Sequence, residues 1–118
     1  MVVVYSTEWT GDIVLGNAII NILKELLDRR GIRYKLVEST NLLAEFDFIP
    51  LNVGPPEKIV SIEVDDAFKT AAAEVLDAVF TDVKRLREEI EKVARMFIRD
   101  EAELREYLEG VGEVYGWW

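Results

Sequence analysis

Leu15, Ile19, Ile22, Leu23, Leu26 and Leu27 recur at helical spacing, with Asn17, Asn21, Lys24, Glu25 and Asp28 on the other side. Two strand-like runs bracket this helix. Val2 to Tyr5 is apolar throughout, the pattern of a strand buried on both faces at the centre of a sheet. After the stop signal Gly31, Ile32 to Val37 alternates, with Ile32, Tyr34 and Leu36 on one face and Arg33 and Lys35 on the other. Strand, helix and strand within the first 37 residues predict a right-handed βαβ unit with parallel strands. The polar turn STEWTGD, Ser6 to Asp12, then sits at the strand's C-terminal end, with Thr10 or Asp12 as the N-cap.

Downstream, ESTNLLAEFDF has room for one helical turn around Leu42 to Glu45, or else is an irregular crossover. FIPLNVGPPEKIVSIEV predicts two short strands about a Gly-Pro-Pro turn, the second being Lys58 to Val64 with Val60, Ile62 and Val64 on one face. Pro50 places the first of these after itself or at a sheet edge, because proline cannot donate to a ladder. Asp65-Asp66 caps a helix with the stripe Phe68, Ala71, Ala72, Val75, Leu76 and Val79. A further helix follows Thr81, carrying Val83, Leu86, Ile90, Val93, Ala94 and Phe97 inward and the pairs Glu88 with Lys92 and Glu91 with Arg95 outward. DEAE, Asp100 to Glu103, resembles a capping box for a last short helix through Leu108, ended by Gly110.

The 118 residues suit one domain, with a core unit over 1–80 and a helical extension with a Trp-rich tail over 81–118. Cysteine, histidine and glutamine are absent. Disulfides, thiolate chemistry and the commonest general base and transition-metal ligand go with them. No catalytic residue, metal site or cofactor is expected, and the balance is against an enzyme. Depletion of thermolabile side chains alongside many Glu, Lys and Arg also matches heat-adapted proteins. The net charge of -9, densest from Glu88 to Glu113, repels nucleic acid and anionic membrane surfaces. DRRGIRYK, with Arg29, Arg30, Arg33 and Lys35, and KRLR, with Lys84, Arg85 and Arg87, are the exceptions, and each reads as a solvated face. No basic leader follows Met1, and Ile13 to Leu27 is too short and too polar to span a bilayer, so a cytoplasmic protein is expected.

The element order, together with VVVYSTEWTGDI, resembles the thioredoxin fold and in particular the glutaredoxin beginning, a strand ending in Tyr-Ser before a Trp-Cys-x-x-Cys helix start. Thr10 and Ile13 stand where the cysteines would be. Ile49-Pro50 resembles the family's cis-proline dipeptide, and Asp65-Asp66 resembles the acidic pair that contacts the glutathione γ-glutamyl group. The resemblance implies an α/β fold of order β-α-β-β-β-α, with a small mixed four-stranded sheet and added C-terminal helices. The crossover is shorter than the family's, leaving the helix from Val83 to cover that sheet face. Without a thiolate the fold is redox-inactive. What survives is a site for a peptide or a glutathione-like ligand, formed by Ser6, Trp9, Thr10, Gly11, Asp12, Ile49, Pro50, Asp65 and Asp66.

Two alternatives use the same turn. TEWTGD also resembles the flavodoxin phosphate loop, although Asp12 puts a carboxylate where the phosphate would sit. An enzyme built on carboxylates is the second, with Glu8, Asp12, Asp65 and Asp66 as acid and base or as Mg²⁺ ligands. At the other end of the chain, GVGEVYGWW holds Tyr115, Trp117 and Trp118, which are expected to pack on the chain's own core or on a partner. With them a homodimer or another protein partner is expected.

Overall fold

A computed structural model describes residues 1–9, 12–40 and 58–117. The elements run β1 (Val2–Ser6), α1 (Ile13–Arg29), β2 (Tyr34–Thr40), β3 (Lys58–Val64), α2 (Lys69–Thr81), α3 (Val83–Phe97) and α4 (Glu101–Tyr115), with 3-10 turns at Thr7–Trp9 and Asp66–Phe68. The fold is mixed α/β. The helical turn expected at Leu42 to Glu45 and the strand expected after Pro50 fall outside the described residues.

The described sheet has the order β1-β3-β2, and β3 is antiparallel to both neighbours. β1 and β2 therefore point the same way, as the βαβ pattern predicts, but β3 is inserted between them, which makes the unit a split one. Among the described residues it is β3, not β1, that is central. Its Ile62 and Val64 are fully buried, whereas Val3 of β1 is 41 % exposed. The expectation that β1 is covered on both faces is corrected accordingly.

A bulge explains how β1 still contributes to the core. Val3 pairs with Glu63 and Tyr5 with Ile62, so Val4 is the extra residue. Val2 and Tyr5, three apart, thereby both lie opposite the core-facing residues Val64 and Ile62. Tyr5 is buried as a result.

The helices build inward in layers. α1 is capped by Asp12 and ends at Gly31, whose φ of 67° reverses the chain. Its burial extends well beyond one stripe, because Val14, Ala18 and Ile20 are buried along with Leu15, Ile19, Leu23 and Leu27. α1 packs closely on both α2 and α3, which accounts for the extra buried positions. α3 brings Leu86, Ile90, Val93 and Ala94 against α1, so it covers the helix and not the sheet. Arg85 pairs with Glu25, and the Asn21 amide donates to Glu89 at 3.1 Å, across the polar rim of that contact. Phe97 and Phe68, predicted inward, are 54 % and 44 % exposed, since each sits at a helix end beyond the packed turns.

One glycine is required by a close approach. A Cβ on Gly16 would lie 3.1 Å from the Thr7 side chain, so its absence lets α1 seat against the turn Thr7–Trp9. α4 differs from expectation in length. It continues through Gly110 and Gly112 to Tyr115 and stops at Gly116, whose φ is 69°. The stripe Leu104, Leu108, Val111 carries it over both glycines, and packing outweighs a helix penalty of about 1 kcal/mol for each. No helix among the described residues is long and apolar enough to cross a membrane.

Candidate functional site

The C-terminal end of β1 is fixed by hydroxyl groups. Buried Ser6 accepts hydrogen bonds from the Glu8 N–H at 3.3 Å and from the Ser61 hydroxyl at 3.2 Å. Thr7 Oγ1 accepts from the Val60 N–H at 3.0 Å, which extends the link to β3 one residue past the strand. Trp9 follows on this anchored turn and is 62 % exposed, with its ring edge-on to Tyr5 at 5.9 Å.

Asp12 organises the other side of the turn. Its Oδ1 accepts from the Val14 and Leu15 N–H groups at 2.9 and 3.2 Å, the usual way of satisfying the free donors of a helix start. Its Oδ2 accepts from the Tyr107 hydroxyl at 2.8 Å. Burial, then the hydrogen bond to Asp12 and its charge, push the Tyr107 pKa far above that of an ordinary tyrosine. The phenol is thus held neutral as a donor.

α4 completes the site from the far end of the chain. At Gly116 the chain turns left-handed and the Trp117 N–H donates to the Gly112 carbonyl at 3.0 Å. This folds Trp117 back, stacked on Tyr115 at 4.7 Å and tilted against Phe80 at 6.5 Å. Two concavities meet at Tyr115. One, of about 360 Å³, is aromatic, lined by Tyr5, Trp9, Phe80, Tyr115 and Trp117 among others. The other, of about 510 Å³, lies along α4, lined by Asp12 and by Glu103, Glu106, Tyr107, Val114 and Tyr115 of that helix among others.

Of the residues expected to form a site, Ser6, Trp9 and Asp12 come together here, joined by Tyr115 and Trp117. Thr10, Gly11, Ile49, Pro50 and Trp118 lie outside the described residues. Asp65 and Asp66 are elsewhere. β3 runs antiparallel to β1, with Ser6 beside Ser61 and Val2 beside Val64, so its C-terminal end lies at the start of β1. There Asp65 caps the turn through the Ala67 N–H at 3.0 Å, and Asp66 is 3.4 Å from the Met1 amino group. A five-residue strand separates them from Asp12, about 17 Å of rise. The composite glutathione-like site and the four-carboxylate set are both corrected on this ground.

Two observations weigh against the phosphate-loop alternative, of whose loop Thr10 and Gly11 lie outside the described residues. Val14 and Leu15 N–H groups, the donors a phosphate needs, already serve the Asp12 carboxylate, which would also repel it. Asp12 thus accepts three hydrogen bonds, two from the start of α1 and one from the Tyr107 hydroxyl.

The sequence assigns no site role to Tyr107, Glu106 and Val114, and to Glu103 only a place in the capping box. The apolar recurrence Leu104, Leu108, Val111, Tyr115 through the glycines was the available signal, because it places Tyr107 and Tyr115 on one helix. No protein-family model matches the chain, and no curated protein or solved structure matches it either.

Proposed function

We propose that this chain is a non-catalytic, redox-inactive binding module whose groove at the end of β1 holds a basic, partly apolar segment of a protein partner. One observation carries the reading: exposed aromatic faces and unneutralised acidic groups line adjoining hollows. Trp9 and Tyr115 are 62 % and 46 % exposed, and Glu103 and Glu106 lie along the neighbouring wall without an ion pair among the described residues. A guanidinium or ammonium group gains from an aromatic face and from carboxylates together, and its aliphatic stem covers apolar surface. The absence of cysteine leaves the thioredoxin-like reading of this strand, turn and helix as a statement about where a ligand is held, and not about redox chemistry.

Calorimetric titration with short peptides alternating Arg or Lys with Leu tests this. Binding is expected for the basic peptide and not for its Glu counterpart, and Glu103→Gln with Glu106→Gln should weaken it by about tenfold, a change of ~1.4 kcal/mol. Equal affinity for basic and acidic peptides, or none for either, contradicts the reading.

A further inference from the structure

The two adjoining hollows differ in what they offer a ligand. Three parts of the chain bring rings to the aromatic one: Tyr5 and Trp9 from β1 and the turn after it, Phe80 from the end of α2, and Tyr115 and Trp117 from the end of α4. Leu15 and Ile19 of α1, both buried, line it as well. Among the described residues no carboxylate, amide or basic side chain lines it. The acidic groups stand next door, where Asp12, Glu103 and Glu106 line the hollow that shares Tyr115, and no basic residue accompanies them among the described lining. α2 and α4 also both end at the aromatic hollow, at Thr81 and Tyr115, and a helix C-terminus carries partial negative charge. The basic residues nearest Phe80 in sequence, Lys84 and Arg85, belong to the start of α3, where Arg85 is paired with Glu25.

We infer that the aromatic hollow takes a quaternary ammonium group, the trimethylated side chain of a lysine in the basic segment that the groove holds. This rests on the groove reading above and names the chemistry of its ligand. Hydrogen-bond accounting selects the methylated form. A primary ammonium or a guanidinium carries N–H donors that need acceptors when they leave water, and the side chains lining the hollow supply only tyrosine hydroxyls. A trimethylammonium has no donor to satisfy. The rings attract its charge through their quadrupoles, and its methyl groups pack on the same apolar lining. The carboxylates beyond Tyr115 add a negative field without entering the hollow, and they remain available to the unmethylated basic residues of the same segment.

Calorimetric titration with three versions of one peptide alternating Arg with Leu tests this. Its central position is lysine, trimethyllysine, or the uncharged tert-butyl isostere in which carbon replaces the quaternary nitrogen. The trimethyllysine peptide is expected to bind about tenfold more tightly than either of the others. Trp9→Leu/Tyr115→Leu, which keeps apolar surface and removes two rings, should abolish that preference. Glu103→Gln/Glu106→Gln should weaken the lysine and trimethyllysine peptides alike and leave the preference unchanged. Residual binding of the lysine peptide shows that the ring variant is folded, and the isostere comparison, made on the unaltered chain, stands without it. Equal binding of the lysine and trimethyllysine peptides overturns the inference and leaves the groove reading standing. An isostere that binds as well as trimethyllysine, or a preference that survives the loss of both rings, overturns it too. Free tetramethylammonium binding as tightly as the methylated peptide does the same, because the hollow then takes a small solute and not a partner's side chain. Binding of none of the peptides is the failure of the groove reading itself.

Discussion

The Tyr107 hydroxyl donates to Asp12 Oδ2 at 2.8 Å across 95 residues of sequence, and so ties the C-terminal helix to the start of the first one. The same carboxylate caps α1 through Val14 and Leu15. One side chain therefore sets both the helix start and the position of the α4 wall. Asp12→Ala should cost about 1 to 2 kcal/mol through the cap, and Tyr107→Phe about 1 to 2 kcal/mol through the lost bond to a charged group. The double variant should lose less than the sum, with a coupling of about 1 kcal/mol measured by denaturant unfolding. Strict additivity would show that the two groups do not interact.

The raised pKa of Tyr107 has a consequence in alkali. A group that holds its proton more tightly folded than unfolded contributes stability that is fully present below its unfolded pKa, near 10, and is lost as pH rises above that value. Stability of the unaltered chain should fall more steeply with pH above about 10 than that of Tyr107→Phe. Tyr34, raised by partial desolvation and by Asp28, acts in the same direction in both proteins and cancels in the comparison. Parallel curves would contradict the burial and bonding assigned to Tyr107.

Gly16 is the position where α1 touches the turn that carries Trp9. Gly16→Val forces its side chain into Thr7, whose hydroxyl is held by the Val60 N–H, so relaxation is resisted. A loss of about 1 to 3 kcal/mol is expected from overpacking. The melting point should fall, and peptide binding at Trp9 should weaken with it; an unchanged melting point would show that the approach is not tight.

Asp65→Ala with Asp66→Ala separates the two ends of the sheet. Removing the cap of a short exposed turn should lower stability by about 0.5 to 1 kcal/mol. Affinity of the groove for basic peptide should not change, because these carboxylates lie at the start of β1. A loss of affinity in this variant would mean that the binding surface extends to the opposite end.

Much of the local structure was legible because it depends on short-range pattern. Lys58–Val64, with Val60, Ile62 and Val64 on one face, follows from alternation, and the need of a helix start for acceptors narrows the cap of α1 to Thr10 or Asp12, of which Asp12 holds it. Strand order was not, since nothing within β1 or β2 records that β3 lies between them. That ordering decides the site. With β3 antiparallel, aspartates at a strand's C-terminal end are carried away from Asp12, and a set of acidic residues that looks convergent in sequence is divided. The bulge at Val4 is likewise invisible in a run of valines, although it puts Tyr5 in the core. α4 runs past Gly110, which by residue type is a terminator, because the apolar stripe passing through it decides the outcome.

Backbone amide chemical-shift mapping of a basic Leu-containing peptide titrated into the chain tests the central claim most directly. Saturable shifts are expected at Trp9, Asp12 and along Glu103 to Tyr115, and none at Asp65 and Asp66. Shifts confined to the Asp65–Asp66 end, or no saturable shift anywhere, would contradict it.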